Sequence, residues 1–250
     1  MLAIARRNAI KEQLQERKSV TITDLAARLN VTKETIRRDL RAMEETGDLI
    51  RTHGGAYILD GVQNDIDIST RQVTLIEEKD LIAKKCEPLI QSGDIIFLDG
   101  SSTDWSIARK IADRKLTVLT SSLEIANILS ASATVNLILI GGEYSSSTKS
   151  FGGESAIRNL QQYYVDKAFI SSRSVSIEHG ITDTNDVAAT MHRIMLNHAK
   201  MKYLVVDHSK LGFDSFSQVG PVSQLDGIVC DREFSPEWKE FLNREQVRMY

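Results

Sequence analysis

Cysteine is almost missing from this chain: Cys86 and Cys230 are the only two, and they lie far apart in the sequence. That rules out a disulfide framework and any metal-ligand spacing, and leaves buried free thiols as the ordinary reading. Long apolar runs are missing too. The longest, ending at Leu98 and at Ile140, fall far short of the roughly 20 residues a spanning helix needs. The first residues carry no apolar signal-peptide core, so a cytoplasmic protein with no membrane partner is expected. No fixed-period repeat or low-complexity tract is visible, which excludes solenoids and disordered tails. Charge of one sign is absent as well: 31 Lys/Arg against 34 Asp/Glu leave a net −3. What is present is ordinary globular material. Hydrophobic residues make up 42% and charged ones 26% of 250 residues, enough for two compact units with their own cores.

The charge balance hides a split. Residues 1–60 hold 11 Lys/Arg and 9 Asp/Glu, whereas 61–250 hold 20 and 25, so the modest basic surplus sits at the start. Its placement matters more than its size. Ile4, Ala5, Ile10 and Leu14 recur at helical spacing and predict a first helix ending near Lys18. Thr21 offers an N-cap for a short second helix, Asp24 to Leu29, with Leu25, Ala26 and Leu29 as its apolar stripe. Asn30 closes it, Val31 plugs the turn, and Thr32 caps a third helix running to about Thr46 and stopped by Gly47. On that third helix Ile36, Leu40 and Met43 share one stripe, and Arg37, Arg41, Glu34 and Arg38 the opposite arc.

A helix packed on one side and cationic on the other, entered through a tight turn, fits a DNA major groove with its N-terminal residues at the base edges. Thr32, Lys33, Thr35, Arg37, Arg38 and Arg41 are the expected readers or phosphate clamps. The stretch Asp48 to Arg51, then His53, Gly54, Gly55, Ala56 and Tyr57, predicts a two-stranded wing whose Arg51 and His53 touch the DNA backbone or minor groove. A cationic arc alone is ordinarily a solvated face. Two short helices, the arginines and the Gly-Gly hairpin together favour a winged helix-turn-helix over residues 1–57 that binds a double-stranded operator. A winged helix used only for protein contact would leave those arginines without a role.

Residues 58–75 lose periodicity and carry the turn signals Asp60-Gly61 and Asn64-Asp65, which predicts a linker. Beyond it, Glu77-Glu78-Lys79 opens an amphipathic helix with Ile82, Ala83, Cys86, Leu89 and Ile90 inward; Pro88 predicts a kink or an early end. Short apolar runs then alternate with helical stretches: 95–98, 116–119, 135–140, 168–170, 203–206 and 227–230. Such runs read as strands buried on both faces, with room for crossover helices between them. The fold class of 76–250 is therefore α/β, an open, mostly parallel sheet.

The loops leaving these strands are polar and small: Asp99-Gly100-Ser101-Ser102-Thr103, Thr120-Ser121-Ser122, Gly141-Gly142, Ser171-Ser172-Arg173 and Asp207-His208-Ser209-Lys210. In an open parallel sheet these loops line the ligand-binding edge. Backbone N–H groups at helix starts there favour an anion, which Arg173 or Lys210 would neutralise. Taken alone, Thr120 to Ser122 reads as plain N-capping. Together the loops predict a site for a phosphorylated small molecule.

Two sets of residues then carry a resemblance. The run Val31-Thr-Lys-Glu-Thr-Ile-Arg-Arg-Asp-Leu40 followed by Arg51-Thr-His-Gly-Gly-Ala56 resembles the N-terminal signature of the DeoR family of bacterial sugar-metabolism regulators. Asp99 to Thr103 is similar to that family's phosphate loop, Thr120-Ser121-Ser122 stands where Thr-Asn-Ser is usual, and Gly141-Gly142 and Asp207 to Lys210 also match. The resemblance implies a repressor whose effector domain is similar in fold to ribose-5-phosphate isomerase and glucosamine-6-phosphate deaminase. That domain is expected to bind a phosphorylated sugar and to oligomerise, with no cofactor. The resemblance departs at Ala188-Ala-Thr-Met-His-Arg193, where Glu-Ala-x-Val-Lys-Arg is common, so that His192 replaces a lysine, and at the bulky Trp105 after the phosphate loop. His192 joins the expected effector residues on that ground.

The competing expectation is a sugar-phosphate isomerase or deaminase with an appended DNA-binding unit. It needs a convergent acid and base. Asp99 is available, but His179, His192, His198 and His208 are scattered, so no catalytic residue is predicted. A single helix-turn-helix with so small a charge surplus binds weakly, which predicts a homo-oligomer, dimer or higher, spanning two half-sites.

Overall fold

A computed structural model describes residues 2–17, 19–46, 49–51, 54–58 and 68–250. They form two compact units, Met1–Ile76 and Glu77–Tyr250.

In the first unit come α1 (Ala3–Arg17), β1 (Ser19–Thr21), α2 (Ile22–Arg28), α3 (Lys33–Glu45), β2 (Ile50–Arg51), β3 (Gly55–Tyr57) and α4 (Ile68–Gln72). Thr21 caps α2 by accepting from the Asp24 N–H at 3.1 Å, and Asn30 turns the chain at φ +50°, a left-handed conformation asparagine tolerates. The Val31 N–H then donates back to the Ala26 carbonyl. Ile10, Leu14, Leu25, Ile36, Leu40 and Met43 close one apolar core. The expected phase of α1 needs correction: Ile4 is 76% exposed, whereas Arg6 is buried on the Ile10–Leu14 side. Arg6 is drawn inward by a buried carboxylate on α3, Asp39. The three strands form an antiparallel sheet in the order β1-β3-β2. Gly55 is required there, because a Cβ would stand 1.9 Å from the Val20 carbonyl oxygen. Gly47, Asp48 and most of the expected linker, 59–67, lie outside the described residues. The rest of that stretch is not plain linker: α4 occupies part of it, with Ile68 buried. A single anchoring isoleucine among polar neighbours leaves no period to read.

The second unit starts with α5 (Ile76–Cys86), which gives way at Pro88 to a 3-10 turn, Glu87–Leu89. Next come β4 (Ile95–Leu98), α6 (Ser102–Ile111), β5 (Leu116–Thr120), α7 (Leu123–Leu129), β6 (Val135–Leu139), β7 (Glu143–Ser145), β8 (Ser150–Gly152), α8 (Gly153–Leu160) and β9 (Val165–Ile170). The chain continues through β10 (Ser174–Ser176), β11 (Gly180–Asp183), α9 (Asp186–His198), β12 (Ala199–Val206), β13 (Ser217–Gly220), β14 (Gly227–Cys230), α10 (Pro236–Arg244) and β15 (Arg248–Met249). Seven strands make one sheet in the order β15-β14-β12-β9-β4-β5-β6, and every pairing in it is parallel. All six expected strands belong to it.

One expectation fails in detail. The run 135–140 is as apolar as its fellows, yet β6 is the edge strand and only Ile140, just past its end, is buried. Two features escape the sequence altogether: the antiparallel hairpin β7–β8 and the small antiparallel sheet β10-β11-β13. Their strands are three or four residues long and mostly polar, too short for alternation to register. Cys86 and Cys230 are free and buried as expected.

The chain runs outward from β4 through β5 to β6, then returns to lay β9 on the other side of β4. The switch point of the sheet, where ligands bind in open α/β folds, is thus the gap between the ends of β4 and β9.

Candidate DNA-reading face and strand-end anion site

Helix α3 is fixed at its start and along its inner side. At its start the Thr32 hydroxyl accepts from the Thr35 N–H at 3.2 Å and shares a 2.9 Å hydrogen bond with the Thr35 hydroxyl. At its inner side Asp39 is buried and takes the Arg6 guanidinium at 2.5 and 3.1 Å, with Arg7 at 3.4 Å. The Asp39 hydrogen bond raises the Arg6 pKa against its burial. The pair bolts α1 to α3, a role the sequence did not announce because Asp39 sits in a run otherwise read as DNA contacts. Ile36, Leu40 and Met43 face the core, and Thr32, Lys33, Arg37, Arg38 and Arg41 are exposed, with Thr35 half-buried. Among the described residues Arg37 pairs with exposed Glu34, at 3.0 Å, a contact of little energy that a phosphate readily replaces.

Arg51 is held differently. Its guanidinium meets Glu44 Oε2 at 2.7 Å and its backbone N–H meets Oε1 at 3.0 Å. Burial would raise the Glu44 pKa, but the Arg51 donors outweigh it and hold the carboxylate below its usual range. Arg51 therefore ties the wing to α3. His53 lies outside the described residues.

At the strand ends of the second unit, Asp99 is the hub. One carboxylate oxygen accepts from the Ser101 N–H at 2.6 Å, and the other accepts from the Ser171 N–H at 2.6 Å across the β4/β9 switch point. His192, on α9, places Nε2 3.2 Å from the same Asp99 oxygen and Nδ1 3.4 Å from Asp183 at the end of β11. Burial pushes Asp99 up, yet His192, Ser101 and Ser171 outweigh it and bring the pKa down to about 2. For His192 burial pulls the other way, and Asp183 and Asp99 raise its pKa to about 10. His192 thus lies between two carboxylates, and its buried Nδ1 makes no hydrogen bond among the described residues. It lies against Asp99, the hub of this cluster.

Asp104 completes the cluster. It is fully buried, and its Oδ2 accepts from the Asp99 N–H at 2.6 Å. Burial first and the Asp99 charge second raise its pKa well above the usual value. Lys210 donates to the Ser171 hydroxyl at 2.8 Å. Burial pushes Asp207 up, but Lys210 and Ser209, with a smaller contribution from the buried Lys79, bring it down. Asp99, Ser101, Lys210 and His192 thus converge through Ser171. Asp104, Asp183 and Lys79 escape a reading of the sequence, whereas Ser171 belongs to a strand-end loop that it singles out: only the position of Asp104, on the first turn of the helix that follows Asp99-Gly100-Ser101, offers any signal.

Other expected residues have structural duties. The Thr120 hydroxyl accepts from the Ser122 N–H at 3.1 Å, and the Ser122 hydroxyl accepts from the Ile125 N–H and from the Trp105 indole N–H. These two are caps and locks, as the plainer reading had it. The Ser121 carbonyl accepts from the Phe151 N–H, which draws the β7–β8 hairpin over this loop. Gly100 lies beneath that hairpin, where a Cβ would sit 2.2 Å from Ser150 Oγ. Gly142 is likewise pressed against the Gly152 carbonyl, whereas Gly141 is exposed with open space about it. Ser102 and Thr103 are buried in the first turn of α6, which Ser101 caps, and Arg173 is half-buried after β9.

Known proteins divide in the same way. Residues 6–62 match the DeoR-like helix-turn-helix domain and residues 74–232 the DeoR C terminal sensor domain. The chain belongs to the DeoR family. Two relatives of this DeoR-family chain match along almost all of both partners. The uncharacterized HTH-type transcriptional regulator YulB of Bacillus subtilis is 32% identical over 100% of this chain and 96% of its own. The lactose phosphotransferase system repressor of Staphylococcus epidermidis is 35% identical over 90% and 91%. Among solved structures, ribose 5-phosphate isomerase A from Methanocaldococcus jannaschii aligns over 55% of each chain at a TM-score of 0.41 and 19% identity. The DeoR-family relatives are named as transcriptional regulators, and this chain is a DNA-binding regulator of that kind, not an enzyme. No helix among the described residues is long and apolar enough to cross a membrane.

Proposed function

We propose that this DeoR-family regulator is a cytoplasmic repressor of a sugar-utilisation operon, released or tightened on its operator by a phosphorylated sugar. Operator binding belongs to residues 1–57, and effector binding and oligomerisation to 76–250. Lys33, Thr35, Arg37, Arg38 and Arg41 present the exposed arc of α3 to the major groove, with Thr32 fixing its start and Arg51 steadying the wing. The phosphate lies at the strand ends, against the first turn of α6, where Gly100, Ser102 and Thr103 bring backbone close, and is met by the Lys210 ammonium. Arg173 and Gly141-Gly142 border the sugar.

The observation that carries this reading is the Lys210 side chain seated on Ser171, 2.8 Å away, at the switch point where Asp99 also binds the Ser171 backbone. A cation there is well positioned for an incoming anion. The enzymatic alternative is the weaker one: both His192 nitrogens face carboxylates, and Asp99, brought down to about 2 by its donors, is a poor base.

The test is fluorescence anisotropy on DNA from upstream of the protein's own operon, with glucose 6-phosphate, galactose 6-phosphate, fructose 6-phosphate and inorganic phosphate added in turn. One sugar phosphate is expected to change operator affinity about 5- to 150-fold, the usual range for coupled sites. Salt-insensitive binding with no preference for that DNA would end the operator reading; operator binding indifferent to every phosphate would end the effector reading.

A further inference from the structure

We propose that Lys149, in the turn of the β7–β8 hairpin, is a second cation for the effector's phosphate, handed over from Glu124 when the phosphate arrives at the start of α6. Lys149 is the sole Lys or Arg between Lys115 and Arg158. The stretch that builds β5 and β6 thus has one positive charge to offer, and the hairpin folds it back towards α6.

That hairpin is fastened to the loops after β4 and β5. The Phe151 N–H donates to the Ser121 carbonyl at 2.9 Å, and the Leu123 N–H to the Lys149 carbonyl at 3.0 Å. Ser150, the next residue, holds its hydroxyl against Gly100, where no Cβ could fit. The Lys149 ammonium stands 5.6 Å from the centre of the Trp105 ring, and Trp105 belongs to the opening of α6, which Ser101 caps. In that same first turn Thr103 Oγ1 is fully buried and has no hydrogen-bond partner among the described residues. A buried hydroxyl left this way is a donor awaiting an acceptor.

Two features mark Lys149 as more than a fastener. Its backbone is left-handed, with φ +51°, a conformation that suits glycine or asparagine at the end of a hairpin turn and strains a lysine. Residues held in such conformations cluster at ligand clamps. Its carboxylate partner is also a weak one: Glu124 Oε1 lies at 2.9 Å, but each of the two side chains is 30% exposed, and pairs open to water contribute little. A phosphate dianion carries more charge and more acceptor oxygens than that carboxylate, and at a helix start the backbone N–H groups support it. The ammonium therefore gains by changing partner.

The proposal rests on the strand-end anion reading and adds a contact to it. Titration calorimetry of the full chain with inorganic phosphate, without DNA, separates the two. Lys149→Met keeps an apolar stem over Trp105 and removes the charge; it is expected to raise the phosphate Kd at least about tenfold, the loss of one charge-assisted hydrogen bond. Glu124→Gln frees the ammonium and is expected to lower the Kd by up to about fivefold. In the Lys149→Met background the same Glu124→Gln change is expected to gain nothing; a gain that persists there would mean that Glu124 repels the anion directly, and overturns the handover. Equal phosphate binding by wild type and Lys149→Met overturns the proposal and leaves the Lys210 site standing. So does weaker binding in both single variants, which would make the pair a staple of the hairpin. A wild type that takes up no phosphate overturns both readings.

Discussion

At the scale of single residues, three side chains carry the arguments for DNA, for the anion and for the stability of the site. Arg38 is exposed on α3, and among the described residues no carboxylate competes for it in the way Glu34 does for Arg37 and Glu44 for Arg51. Arg38→Ala is expected to lower operator affinity by about 1–3 kcal/mol while leaving the response to sugar phosphate intact, read by anisotropy at matched salt. Lys210→Ala is expected to leave DNA binding without effector unchanged and to shift the sugar-phosphate dose response to higher concentration; an unaltered dose response would remove Lys210 from the site. His192 gives a pH signature. Its pKa is raised from 6.5 to about 10, so the stability it contributes is full below about pH 6.5 and is lost as pH rises through about 10. Asp99, lowered from 3.8 to about 2, adds a contribution present above about pH 3.8 and lost as pH falls through about 2. Chemical denaturation of wild type against His192→Gln should therefore show the largest difference between about pH 3.8 and 6.5, shrinking towards pH 10.

At the scale of elements, helices are far easier to read from the sequence than the small sheets. Thr21, Thr32 and Asn30 mark the helix-turn-helix, and the stripe Ile36, Leu40, Met43 gives the buried face of α3, because caps and period both act within one turn of chain. The anion loops are readable for the same reason: Asp99 to Thr103 and Asp207 to Lys210 are local runs. Their connections are not local. Asp183 belongs to the strand Gly-Ile-Thr-Asp, which has neither length nor alternation, and it meets His192 only after α9 packs on the β10-β11-β13 sheet. Arg6 reads as a solvent residue because its partner, Asp39, is 33 positions away. That pair yields a test at this scale. Asp39→Ala leaves a guanidinium buried without its carboxylate, and is expected to cost about 3–5 kcal/mol, seen as early melting of the first unit by hydrogen exchange while β4 and β9 keep their protection.

At the scale of the whole molecule, two binding functions in one chain are bound by reciprocity. If a sugar phosphate lowers operator affinity by some factor, saturating operator DNA must lower sugar-phosphate affinity by the same factor. Titration calorimetry of the sugar phosphate with and without operator DNA is expected to return that factor; unequal values would mean that a third equilibrium, such as a change of subunit number, intervenes. No motif reveals how large the coupling is, since it depends on differential affinity between whole arrangements of the protein.

Trp105 follows the loop Asp99-Gly100-Ser101-Ser102-Thr103, fully buried, with its indole N–H on Ser122 and the Lys149 ammonium 5.6 Å from its ring centre. The only other tryptophan, Trp238, meets Phe241 edge-on in α10. The chain thus contains its own optical probe. Once Trp238 is replaced by Phe, the emission of one unlabelled indole can follow ligand arrival in real time, in the same cuvette that holds the DNA.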